Sequence, residues 1–181
     1  MKVISGNLKG KNILGFDING TRPTMDRVKE SLFAMIQDYV KDSVVLDLYT
    51  GSGNLAIEAL SNGAKEAYLV DNSRMAIEVV NKNLKSCNIT RAIVIKNNSI
   101  SALNSFILNK MVFDIIFLDP PYITDEINKV LTIINGNLQL LTVSSIVVCE
   151  TEKHINYSVY DNFKVLKEKK YGNKIITILQ T

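Results

Sequence analysis

From Val44 onward the chain alternates between short apolar runs and longer segments whose apolar residues recur every three or four positions. Runs of the first kind predict strands at Val44–Tyr49, Glu66–Asp71, Ala92–Lys96, Phe113–Asp119 and Ser145–Glu150, and a closing pair at Val165–Lys169 and Lys174–Leu179. Segments of the second kind predict helices over Asn54–Ser61, Ser73–Ser86, about Ser101–Leu108, and Asp125–Asn137. Strand and helix in strict alternation imply an α/β fold, a mostly parallel sheet with helices on both faces. The closing pair is joined only through Tyr171-Gly172-Asn173, too short for a crossover, so the last strand must run antiparallel. Upstream, Val28, Leu32, Phe33, Ile36 and Tyr39 mark a helix over Arg27–Tyr39, with Thr24 as its N-cap behind the break at Thr21-Arg22-Pro23-Thr24. Lys2–Ile13 reads as a short β-hairpin with lysines on its turn and flanks.

The 181 residues suit one domain, 1–181, in which residues 1–23 form a hairpin appendage and linker. With 46% hydrophobic residues the chain can bury a substantial core, and no apolar run approaches a membrane span or a signal-peptide core. A cytoplasmic, membrane-free monomer is therefore expected. Cys87 and Cys149 lie far apart and His154 is the single histidine, so metal-ligand spacing is absent and no metal is expected. A net charge of +3 leans only weakly toward an anionic partner.

The candidate chemistry begins where Ile115-Ile116-Phe117-Leu118 runs into Asp119-Pro120-Pro121-Tyr122. Two prolines without N–H groups make a stiff exit from the strand, poor in donors and rich in acceptors. A planar exocyclic amino group fits such a corner: its N–H donors can reach the Asp119 carboxylate and the Pro120 carbonyl while its ring stacks on Tyr122. Asp-Pro-Pro-Tyr is the signature of methyltransferases acting on amino groups conjugated to a ring or carbonyl. Alone, it equally suits a strand followed by a proline turn, so its context decides.

That context is Asp47-Leu48-Tyr49-Thr50-Gly51-Ser52-Gly53, where the first strand meets its helix. Gly51 and Gly53 allow a sharp turn and close backbone approach to a ligand, and Asp71 follows about 20 residues on, a spacing that also fits a dinucleotide fingerprint. NAD is thus a competitor. Asp47, Asp71 and Asp119 at neighbouring strand ends, however, make a crevice hostile to a pyrophosphate. It tolerates the sulfonium and ammonium of S-adenosylmethionine. Asp71 can accept from both ribose hydroxyls, Asp47 can face the methionine end or order the glycine loop, and Asn98 can meet the adenine edge.

The chain resembles the bacterial 16S ribosomal RNA (guanine-N(2))-methyltransferase family of the small subunit. The likeness rests on Val3-Ile4-Ser5-Gly6, Arg22-Pro23-Thr24 with Asp26-Arg27-Val28-Lys29-Glu30, Asp47-Leu48 with Gly51-Ser52-Gly53, Glu58-Ala59-Leu60-Ser61, Asp119-Pro120-Pro121-Tyr122 and Lys169-Lys170-Tyr171-Gly172. It implies a Rossmann-like class I methyltransferase with a seven-stranded sheet, using S-adenosylmethionine to methylate N(2) of one guanine of 16S rRNA in a partly or fully assembled small subunit. Arg22, Lys2, Lys9 and Lys11 would hold the RNA backbone. The chain departs from the family pattern at Tyr49-Thr50 (usually Phe-Ala), Asp71 (usually glutamate) and Asn62 (usually arginine). Other amino-group methyltransferases, acting on DNA adenine or protein glutamine, are the nearest alternative; an NAD-dependent oxidoreductase and a non-catalytic RNA-binding module are more distant ones.

Overall fold

A computed structural model of the chain describes residues 1–15, 22–121 and 125–181, with residues 22–25 described by their backbone alone. The strands are β1 (Val44–Asp47), β2 (Glu66–Asp71), β3 (Ala92–Lys96), β4 (Phe113–Leu118), β5 (Leu141–Thr151), β6 (Lys164–Tyr171) and β7 (Lys174–Gln180). They form one sheet in the order β3-β2-β1-β4-β5-β7-β6, in which β7 alone runs against its neighbours. The expected mostly parallel, seven-stranded architecture with an antiparallel last strand is what forms.

The helices are α1 (Arg22–Val40), α2 (Asn54–Ser61), α3 (Arg74–Ser86), α4 (Ser99–Leu108) and α5 (Glu126–Asn135). Side chains that alternate along the strands feed two cores. On one face Val45, Ile115, Phe117, Val148 and Ile178 pack with Phe33, Ile36, Ile57 and Val80 of α1, α2 and α3. On the other, Leu46, Ile116, Leu118 and Val147 pack with Leu103, Phe106, Val130 and Leu131 of α4 and α5. Central strand β4 is buried on both faces, which is why it reads as a continuous apolar run rather than an alternating one.

Helix α1 begins earlier than its apolar rhythm indicates: Arg22 is already helical, and Pro23 sits in the first turn, where its missing N–H is not needed. Thr24 is consequently inside the helix rather than its cap. Residues 2–13 form a narrow ribbon rather than two full strands. A single bridge pairs Lys2 with Asn12, and a 3-10 turn at Gly6–Leu8 closes its end.

This ribbon is built into the fold, with Val3 and Ile13 buried. Glu58, in the middle of α2 and fully buried, accepts from the backbone N–H groups of Ile4 and Ser5 and from the Ser5 hydroxyl. Its other charged neighbour is Lys29 of α1, 2.8 Å away and equally secluded. Lys29 Nζ also donates to the Lys2 carbonyl at 2.7 Å and to Asn54 Oδ1 at 2.8 Å. Every polar group of the cluster is satisfied, the condition under which a buried ion pair is tolerated. Asn62 adds bonds to the Ser5 hydroxyl and the Glu58 carbonyl, so the residue that departs from the family's arginine makes a packing contact here.

Removing one partner strands a buried charge. Lys29→Ala or Glu58→Ala should therefore each lower stability by about 3–5 kcal/mol in urea unfolding. Lys29→Met/Glu58→Leu should lose clearly less than the sum of the two.

Candidate active site

The C-terminal ends of the parallel strands make one edge of the sheet, and the connections leaving it build the site, as open α/β sheets generally arrange. The β1–α2 turn contributes the glycines. Gly53 is the residue before α2 and has φ +80°, and a Cβ there would fall 2.6 Å from Val80 Cγ2 of α3. Gly51 has φ +52°, and a Cβ there would meet nothing within 4 Å. Gly53 thus serves the fold by letting α3 close on the turn, whereas Gly51 exposes bare backbone to open space beside the start of a helix. Such a place can receive a ligand.

Asp47 ends β1 pointing into this turn, almost wholly buried. Its Oδ2 accepts from Thr50 Oγ1 at 3.0 Å, and the backbone N–H groups of Ala56 and Tyr49 also bond it. Of the two roles open to it from sequence, ordering the glycine loop is the one its contacts perform. Thr50, where the family usually carries alanine, supplies one of those contacts. Burial pushes the Asp47 carboxyl up to about 7 despite the three hydrogen bonds, with a small further push from Asp71.

Asp71 ends β2 and touches the same turn: Oδ2 accepts from Gly51 N and Oδ1 from Ser73 N, each at 2.9 Å. Each oxygen has a second lone pair, so two further donors such as vicinal hydroxyls can be received. Asn98, past β3, is exposed and caps α4, its Oδ1 accepting from Ile100 N and Ser101 N. With that oxygen engaged, the carboxamide NH2 is the group it can offer an adenine ring.

Asp119 follows β4, one strand from the glycine turn, since Asp47 pairs with Phe117. It is half-buried, Pro120 is buried and Pro121 exposed. Tyr122 lies outside the described residues. Arg22 opens α1; this helix ends at Val40, beside Ser43 ahead of β1, so it runs against the strands and brings its first turn to the site edge. The Arg22 side chain lies outside the description. Lys2, Lys9 and Lys11 are exposed. The Lys2 backbone adjoins Asn54 through Lys29, next to the glycine turn, whereas Lys9 follows Leu8, whose N–H reaches Ser61 at the far end of α2. Among the described residues, no group of three or more His, Cys, Asp or Glu side chains is placed to hold a metal. No described helix is long and apolar enough to cross a membrane.

Three polar residues had no role assigned from sequence. Glu58 entered only through its likeness to the family, although a carboxylate inside the otherwise apolar Leu55–Leu60 is a usable signal of its own. Tyr49 entered only as part of the glycine-turn segment and as a departure from the family pattern; its hydroxyl is buried without a hydrogen-bond partner, near Ser99 and Glu126, and burial raises its pKa. Lys174 at the start of β7 pairs with Glu150 near the end of β5. Only the strand order reveals that both lie beside Asp119.

The sheet order, the glycine turn and the strand-end carboxylates define a methyltransferase of the Rossmann-like class. The profile of the family described as conserved hypothetical protein 95 matches residues 1–180, and the chain belongs to that family. It is 40% identical over 156 residues to YlbH of Bacillus subtilis (strain 168), covering 86% of this chain and 84% of that one. It is 34% identical to ribosomal RNA small subunit methyltransferase D of Buchnera aphidicola subsp. Acyrthosiphon pisum, over 92% of this chain and 86% of that one. The solved structure of yhhF from Escherichia coli superposes with a TM-score of 0.83 at 27% identity, covering 99% of this chain and 97% of the other.

The residues at the edge fit S-adenosylmethionine. The space over Gly51, the spare lone pairs of Asp71 and the anionic surroundings suit a cationic nucleoside better than a pyrophosphate.

The raised Asp47 carboxyl has a consequence for stability. The folded state holds that proton up to about pH 7, whereas the unfolded chain releases it near 3.8. The contribution is complete below about pH 4 and is lost as pH rises through 7, amounting to at most about 4 kcal/mol. Unfolding midpoints measured from pH 4 to 8 should therefore fall more steeply in the native protein than in Asp47→Asn.

Proposed function

We propose that the protein transfers a methyl group from S-adenosylmethionine to the exocyclic N(2) of a guanine in 16S rRNA of the small ribosomal subunit. The observation that carries this reading is the position of Asp119-Pro120 at the end of β4, one strand from the open backbone of Gly51. Relatives named as ribosomal RNA small subunit methyltransferase D, similar over nearly the whole chain, support rRNA as the substrate class.

S-adenosylmethionine supplies a methyl on a positively charged sulfur, which an amine can attack in line. The Gly51–Gly53 turn and Asp71 hold its nucleoside, with the Asn98 amide toward the adenine. The guanine amino group is a poor nucleophile because its lone pair is delocalised into the ring. Asp119 and the Pro120 carbonyl accept its two N–H groups, which holds the nitrogen in place and favours the pyramidal geometry needed for attack. Asp119 need not be a strong base, since the nitrogen becomes acidic once methylated and can release its proton then.

Tyr122 provides the stacking face for a base swung out of its own stack. Arg22, Lys2 and Lys11 contact phosphates around the crevice, and Lys9, at the other end of α2, does so only for RNA that extends along the ribbon. A net charge of +3 is small for a tight grip on free RNA, so the shape of a partly or fully assembled small subunit supplies the remaining recognition.

Labelled cofactor offered in parallel to small-subunit particles, free 16S rRNA, DNA and protein should mark the particles, and nuclease digestion should yield N(2)-methylguanosine. Label appearing mainly in DNA or protein would reject the reading. Asp119→Ala should retain cofactor affinity within a few-fold while transfer falls by several hundred-fold or more, on the order of 3–4 kcal/mol of transition-state stabilisation.

A further inference from the structure

Asp119 does not end its strand alone. Leu118 of β4 pairs with Cys149 of β5, so the next residues, Asp119 and Glu150, stand side by side at the site edge. Neighbouring strands are about 4.8 Å apart, so the two carboxylates share one corner and repel each other. Glu150 in turn pairs with Ile176 of the antiparallel β7. Lys174, two residues before Ile176, therefore projects to the same face of the sheet. Phe117, Val148 and Ile176 all belong to the core under α1, which identifies that face. Lys174 and Glu150 form an ion pair there, and both side chains are largely covered.

We propose that Glu150 and Lys174 are positioning residues for Asp119: Glu150 anchors the ammonium beside the β4 terminus, and Lys174 offsets the repulsion between the two carboxylates. Asp119 thereby stays ionised and available as the acceptor for the substrate amino group. The inference rests on the methyl-transfer reading above. The electrostatics agree with it. Burial works to lower the Lys174 pKa, but the charge of Glu150 and its hydrogen bond, with smaller contributions from Asp119 and Glu152, raise it above the ordinary lysine value. The ammonium therefore stays charged across the working range.

The other charged groups packed around this corner have different engagements. Asp47 on β1 bonds its own turn, and Lys29 on α1 is held by Glu58. Asp26, one turn before Lys29 in α1, adds negative charge, and one of its carboxylate oxygens is buried with no hydrogen-bond partner. Glu152, beyond β5, adds more. Lys169 of β6, opposite Ile176 on the same face, donates to Ser31 of α1 and lies over the Tyr171 ring, so Lys174 is the described lysine that pairs with Glu150 here. A merely structural ion pair would hold β7 against β5 and have no effect on the ionisation of Asp119.

The two roles separate in the pH dependence of single-turnover methyl transfer to small-subunit particles with cofactor saturating. Lys174→Met removes the positive charge that lies between Asp119 and Glu150, so the acidic half-point of the rate should rise by about one pH unit or more while the high-pH plateau and cofactor affinity hold. Glu150→Gln removes the like charge and should move the half-point the other way or leave it below the measured range. Lys174→Arg should restore the native profile. Glu150→Gln/Lys174→Met, neutral and less prone to misfold than the single lysine variant, should lie near the native protein.

Equal loss of rate at every pH in both single variants, or an unmoved half-point in a folded Lys174→Met protein, would overturn the proposal. The functional reading has a separate check. If Asp119→Ala transferred methyl groups at the native rate, the assignment of Asp119 would fall whatever Lys174 does.

Discussion

The buried pair between Lys29 and Glu58 is the interaction on which the rest of the arrangement depends. Each charge by itself would be untenable where it sits, so the N-terminal ribbon, α1 and α2 must meet in one geometry or the cluster fails as a whole. That geometry sets where α2 starts, because Lys29 also bonds Asn54, the first residue of the helix. The glycine turn immediately before Asn54 inherits its position from a charge cluster lying mostly under the ribbon. An element that reads as peripheral in sequence thus takes part in placing the ligand site.

At the strand ends nearby the electrostatic problem is reversed. Under the ribbon a lone carboxylate has a full set of donors, whereas at the strand ends Asp47, Asp71, Asp119 and Glu150 crowd together. The structure treats them unequally. Asp47 is buried and pushed toward the protonated form, Asp71 is tied to two backbone N–H groups, and Glu150 is neutralised by Lys174. Asp119, half-buried at the end of β4, keeps more access to solvent than Asp47. Differences in burial and partners give chemically identical groups separate work.

Much of this was legible in the residue pattern. The strands, the reversed final pair, the glycine turn and the run into Asp119 follow from periodicity and local stereochemistry, because each is decided within a few residues. What escaped depended on partners distant in sequence. Glu58 acquires its meaning from Lys29 and the Ile4-Ser5 backbone, and Lys174 acquires its own only once β7 is placed against β5. Asn98 shows the converse: a candidate ligand contact by position, it spends its carbonyl oxygen on capping α4, a local role that asparagine at a helix start commonly takes. The start of α1 was misjudged because Pro23 reads as a break, although proline is welcome in a first turn.

The position of β7 between β5 and β6 bears on how the protein is made. Strands β1 to β5 can associate as they emerge from synthesis, but β6 has no place in the sheet until β7 has been made and inserted between it and β5. That insertion also delivers Lys174 to the edge where Asp119 waits. Until Lys174–Gln180 have been synthesised and docked, Glu150 lacks the lysine it pairs with in the finished sheet. The cofactor turn and the charge balance at the β4 terminus are thus completed at different stages, the second only when β7 docks.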